Sequence, residues 1–210
     1  MYFVKRINRH IFLLGMALAC LFSSSAFAET TLAGVKLDDT AQVGNQTLKL
    51  NGAGIRYKVI FKVYVAAMYL PEVKSTTAEV LALPGAKRLS LVILRDLSSD
   101  DLGNRFMDGL KKNLEYAERA KLVNSMVIFG QMFALIPGMK KGDVLNLDLV
   151  PGVGVVSQMN GKQLGETITD QSFYNAVLKI WLGNHPVDEE LKRKMLNDRK
   201  AEEAPVKPRA

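Results

Sequence analysis

Gly52-Ala53-Gly54-Ile55-Arg56 leads, after the six residues Tyr57 to Lys62, into the apolar run Val63-Tyr64-Val65-Ala66-Ala67-Met68-Tyr69-Leu70. The run is rich in residues that favour strands, and the two glycines before it permit a bulge or a close backbone approach. One guanidinium is thereby set inside core strand. Arginine stays protonated and offers a planar fork of donors, so when buried it must face an anion, from the protein or from a ligand. Asp96 and Asp143 are the candidate protein partners.

Outward from this stretch the elements fall into a pattern. Thr47-Leu48-Lys49-Leu50 alternates as a strand, and Pro71 ends the sheet segment that closes at Leu70. Residues Thr76 to Leu83 read as a short helix with hydroxyl caps, stopped by Pro84-Gly85, and Arg88 to Leu94 as a strand. Ser98-Ser99-Asp100-Asp101 opens a helix of about four turns carrying Leu102, Phe106, Leu110 and Leu114 at helical spacing. A second helix is expected over Val123 to Ile136, where Met126 and Met132 fill core or line an adaptable cavity. Val144 to Leu149 and Val155 to Met159 read as strands, the second leading into an Asn160-Gly161 hairpin turn. Thr169-Asp170 then caps a helix with Phe173, Val177, Ile180 and Trp181, and Glu189 to Leu196 forms a last helix after a break at His185-Pro186. Trp181 reads as a core anchor and Lys192-Arg193-Lys194 as a solvated face. The sum is α+β, an antiparallel sheet covered by a helical layer.

The ends belong to other business. Lys5, Arg6 and Arg9 precede an apolar segment from Ile11 to Phe22 and the small-residue site Ala26-Phe27-Ala28, the pattern of a secretory leader over 1–28. The segment is shorter than the ~20 residues a spanning helix needs, so no transmembrane segment is expected in the mature chain. Cleavage after Ala28 removes Cys20, the only cysteine, unless that residue is lipidated. The domain is expected over 29–199, with a disordered tail over 200–210 rich in Pro, Glu and Lys. Removing the leader's three basic residues from the formal +7 leaves +4, scattered among acids. Nucleic-acid binding is not expected from such a surface on an exported protein.

Familiar catalytic sets are absent. His185 is the only histidine beyond the leader, which leaves a histidine-based triad or a His/Cys metal site almost nothing to work with. Gly52-Ala53-Gly54 lacks the spacing of a phosphate loop. Neither a metal nor a cofactor is expected.

Taken together, Leu50 to Arg56 and Lys62 to Leu70 resemble the signature of chalcone isomerase-like proteins. The likeness extends to Arg95-Asp96, Lys141-Gly142-Asp143, Pro151-Gly152-Val153-Gly154, Asn160-Gly161-Lys162 and Ile180-Trp181-Leu182-Gly183 with Pro186, which are similar to the bacterial exported branch. It implies an open-faced sheet sandwich with a ligand cleft between sheet and helices, and a periplasmic location. Arg56 falls on the family's cleft arginine. In plant isomerases that arginine works with a threonine, a tyrosine and an asparagine to cyclise a chalcone. Here those three positions are Tyr64, Leu102 and Gly109, and leucine and glycine in the last two remove the donors for a developing enolate. The fatty-acid-binding branch instead combines arginine with tyrosine, which implies a small amphipathic carboxylate held by Arg56 and Tyr64.

A pair eight residues apart would lie about 26 Å apart on one straight strand. The two can meet only across a hairpin, with a turn near Ile60 placing Arg56 opposite Tyr64 and Lys58 opposite Lys62. Tyr64 could otherwise be a core tyrosine bonded to backbone. Three functions follow: a fatty-acid-binding module, the leading expectation; an intramolecular lyase with Arg56 and Tyr64 as its chemistry; and a structural envelope protein with a closed cleft.

Overall fold

A computed structural model describes residues 30–198. The expected leader over 1–28, Cys20 within it, and the expected tail over 200–210 lie outside the described residues.

The strands are β1 (Thr30–Leu32), β2 (Val35–Leu37), β3 (Thr40–Val43), β4 (Gln46–Lys58), β5 (Phe61–Leu70), β6 (Lys87–Ile93), β7 (Leu97–Ser98), β8 (Gly138–Met139), β9 (Val144–Val150), β10 (Gly154–Met159) and β11 (Lys162–Gln163). The helices are α1 (Thr77–Ala82), α2 (Ser99–Asn113), α3 (Tyr116–Lys121), α4 (Val123–Ala134), α5 (Ser172–Leu182) and α6 (Glu189–Met195). Seven strands form one curled antiparallel sheet in the order β11-β10-β9-β6-β5-β4-β3, and β1-β2 and β7-β8 make two small pairs. The expected α+β class, a sheet with a helical layer, is the one observed.

Strand alternation divides the sheet between two cores. Ala66, Met68 and Leu70 of β5 and Leu89, Leu91 and Ile93 of β6 face the helices and join the large core. Val65, Ala67 and Tyr69 face the other way, into a smaller cluster with Leu37, Val43 and Leu48. Helix α2 forms because Ser98 Oγ accepts from the Asp101 N–H at 3.2 Å, acids fill its first turn and Lys111 and Lys112 its last. It buries Leu102, Phe106 and Leu110. Each fully buried side chain of this size contributes about 1.5–3 kcal/mol. Met126 and Met132 are buried in the same core.

The two glycines of β4 do what the sequence suggested. Gly52 and Gly54 lie directly beneath α6, where an added methyl at Gly52 would run into the Lys194 carbonyl and one at Gly54 would touch Leu191 and Lys194. Between Leu50 and Gly52 the register slips, leaving Asn51 as a bulge. Its buried carboxamide donates to the Met195 carbonyl at 2.8 Å and the Lys74 carbonyl at 3.0 Å, and accepts from the Lys74 N–H at 2.7 Å. The last helix is thus fixed to strand backbone. Of the run expected as a solvated face, Lys192 donates to the Gly183 carbonyl, Lys194 lays its stem over Gly54 and pairs with Glu190, and Arg193 is exposed.

Strands β1 to β3 and helix α3 are additions to the expected elements. The strands are three or four residues long, too short to show a period, with left-handed turns at Ala33-Gly34 between β1 and β2 and at Gly44 after β3. Helix α3 buries none of its residues, so it has no apolar stripe to read. Helix α5 begins at Ser172, with Asp170 Oδ1 accepting from the Ser172 N–H at 3.0 Å just ahead of it. The Asn160-Gly161 turn carries positive φ at both residues, as a two-residue hairpin requires.

Candidate functional site

The β4–β5 hairpin closes over a two-residue loop, Val59-Ile60, and Arg56 is the cross-strand partner of Tyr64. Directly opposed residues share a face, and Tyr64 packs against the core under the helices. The expected meeting of the two therefore occurs. The expected pairing of Lys58 with Lys62 does not: a second register shift after Arg56 leaves Val63 as an extra residue, so Tyr57 opposes Lys62 and Lys58 opposes Phe61. The turn has no glycine or asparagine; Val59 takes φ 58° instead.

Arg56 and Tyr64 line a cleft of about 350 Å³ between this end of the sheet and helices α2 and α5. Its apolar wall includes Val63, Leu97, Leu102, Phe106, Ile180 and Trp181. Phe106 and Trp181 meet edge to face at 5.4 Å, and Phe106 packs on Phe129 and Phe133 at 5.3 and 5.0 Å, a rigid aromatic backing. Toward the rim stand Lys58, Arg95, Arg105 and Lys112 against Asp101 and Asp108.

The protein partner of Arg56 is neither Asp96 nor Asp143. Asp96 accepts from the Lys141 N–H at 3.0 Å and then from Lys140 Nζ at 2.9 Å, bonds that in that order lower its carboxyl from the ordinary value. Asp143 accepts from the Lys140 N–H and Asn160 Nδ2. The acid that reaches Arg56 is Asp188, the N-cap of α6. Its Oδ1 accepts from the Leu191 N–H at 3.1 Å, and its Oδ2 meets Arg56 Nη1 at 3.3 Å and the Tyr57 N–H at 3.4 Å. This contact is single and end-on, and the other Arg56 donors have no partner among the described residues.

Tyr64 is not a tyrosine bonded to backbone. Its oxygen accepts from Trp181 Nε1 at 3.0 Å, so its own proton is left to donate elsewhere. Burial pushes the phenol up to about 12, against the opposing pull of the Trp181 bond and of Arg56 and Arg105. It remains a neutral donor at ordinary pH. A protonated phenol beside a guanidinium can bind a carboxylate, but as a general base it is poorly matched to neutral solution.

The positions aligned with the isomerase's tyrosine and asparagine, Leu102 and Gly109, also line the cleft. Neither supplies a polar side chain, and a Cβ at Gly109 would sit 2.8 Å from Ile180 Cγ2, leaving a carboxamide no room without a shift of α5. Asn113, one turn on, is already committed: Nδ2 donates to the Gly109 and His185 carbonyls and Oδ1 accepts from the His185 N–H. Among the described residues no group of three or more His, Cys, Asp and Glu could hold a metal, and no helix is long and apolar enough to cross a membrane.

Two contributors escaped the sequence reading. Asp188 carried a usable signal, since an acid three residues before Leu191 at a helix start is a cap pattern. The Trp181–Tyr64 bond carried none, because it joins residues 117 apart.

A sheet curled around a helical layer with a cleft at one end defines the architecture of the chalcone isomerase-like proteins. A family model of that description matches residues 29–197, and the chain belongs to this family. Among solved structures it is similar to a fatty-acid binding protein of Arabidopsis thaliana, with a TM-score of 0.59 and 14% identity over 81% of this chain and 96% of that one. No curated protein sequence matches it.

Proposed function

We propose that this protein is exported to the periplasm, loses its leader after Ala28, and binds a fatty acid or similar small amphipathic carboxylate without turning it over. The observation that carries this reading is the cross-strand pair of Arg56 and Tyr64, each with a spare donor, in a cleft with one apolar wall and a charged rim. The carboxylate would take the free side of the guanidinium and the phenolic proton, and the alkyl chain would lie against Phe106, Ile180 and Trp181. The volume sits at the small end of the ~300–1,000 Å³ usual for ligand sites. The fold it shares with the Arabidopsis fatty-acid binding protein agrees with this use. Against a lyase stand Leu102, Gly109 and the high proton affinity of Tyr64.

The test is extraction. The mature protein is purified, extracted with organic solvent and analysed by mass spectrometry beside Arg56→Ala. A carboxylate carried by wild type and lost in the variant is expected; an empty wild type that also fails to bind added fatty acid would sink the reading.

A further inference from the structure

The tip of the β4–β5 hairpin is apolar where a solvated turn should be polar. Val59 is 89% exposed, Ile60 78% and Phe61 56%. They stand together at the end of the ribbon with Tyr57 beside them, forming a projecting edge instead of the scattered single residues that are normal on a surface. Val59 also holds φ 58°, a conformation that suits glycine or asparagine and strains a β-branched residue. An apolar side chain is kept at the tip although the turn would be easier without it.

Cations surround this edge. Lys58 and Lys62 flank it in sequence and have no carboxylate partner among the described residues, and Arg95 stacks over the Phe61 ring at 5.2 Å. Aliphatic and aromatic groups at a tip with lysine and arginine just behind suit the boundary of an anionic bilayer, where the rings and branched chains enter the headgroup region and the cations meet the phosphates. A soluble protein partner would need a larger complementary face than one turn offers.

We infer that the Tyr57–Lys62 hairpin tip docks this protein on an anionic membrane surface, with the mouth of the cleft, lined by Lys58 and Arg95, turned to the lipid. This docking does not depend on what the cleft holds. The probe is vesicles of phosphatidylcholine with phosphatidylglycerol, compared with phosphatidylcholine alone, read by co-sedimentation of the mature protein. Wild type is expected to bind the anionic vesicles and to be released by salt, each basic group near the surface contributing about a fivefold gain. Val59→Asn with Ile60→Ser should cut binding by about tenfold or more, while the thermal midpoint stays equal or rises, since asparagine tolerates the positive φ. Lys58→Glu with Lys62→Glu should abolish the preference for anionic lipid. The inference is overturned if wild type ignores anionic vesicles, if the tip variant binds like wild type, or if the tip instead drives self-association in sedimentation without vesicle binding.

Discussion

The sheet carries two arginine–aspartate pairs, and they are built to opposite ends. Arg88 and Asp148 face each other across β6 and β9 on the side away from the helices, with Nε to Oδ1 at 2.7 Å and Nη2 to Oδ2 at 2.6 Å. Their side chains are 17% and 3% exposed, the fork is fully matched, and burial pushes the Asp148 carboxyl up in spite of the bridge. Arg56 and Asp188 touch once at 3.3 Å beside open space. The first guanidinium is locked to its partner by a two-bond fork in a buried setting; the second is steadied by a single contact and faces the cleft. Burial of an arginine is therefore a poor guide to function, and the space its guanidinium faces is a better one.

The largest effect expected from breaking this contrast is on stability. Arg88→Ala leaves Asp148 as an unpaired buried carboxylate and should cost about 3–5 kcal/mol, whereas Arg56→Ala should cost no more than about 1 kcal/mol. Urea unfolding of the two variants measures the gap, and comparable losses would show that Arg56 is structural as well. Next in size is Asp188→Asn, which keeps the helix cap but removes the charge competing for Arg56. Affinity for a fatty acid should rise by about fivefold, equivalent to about 1 kcal/mol of relieved repulsion, in a titration against displacement of a fluorescent analogue. The smallest effect is on pH dependence. Tyr64 and Tyr69 are both pushed up from 10.0 to about 12 by burial, so above pH 10 the unfolded chain releases protons that the native state keeps. Stability should be intact below pH 10 and fall between there and about 12, with a shallower fall in Tyr64→Phe; thermal midpoints across that range test it.

Much of the fold could be read from local chemistry. The Thr76 and Ser98 caps, the Pro84-Gly85 stop and the Asn160-Gly161 turn each announced an element that the structure contains, because caps and turns act over a few residues. Half of the site was legible in the same way, since a lone arginine in a strand demands an anion. The hairpin joining it to Tyr64 came from the family likeness, because Val59-Ile60 hides the turn behind residues that normally extend a strand. The partner acid was missed because the sequence does not show that Asp96 and Asp143 are committed to Lys140, Lys141 and Asn160, nor that α6, seated on the glycines of β4, brings Asp188 to Arg56.

That seating bears on what the proposed binding would cost a guest. Asn51 clamps one end of α6, the backbone at Gly52 and Gly54 lies directly against it, and the Asp188 oxygen is set beside the guanidinium. A visitor must share the cation with a resident anion. In that company a carboxylate gives up part of its attraction to the guanidinium, so the hold on a guest would follow how firmly α6 keeps Asp188 in place.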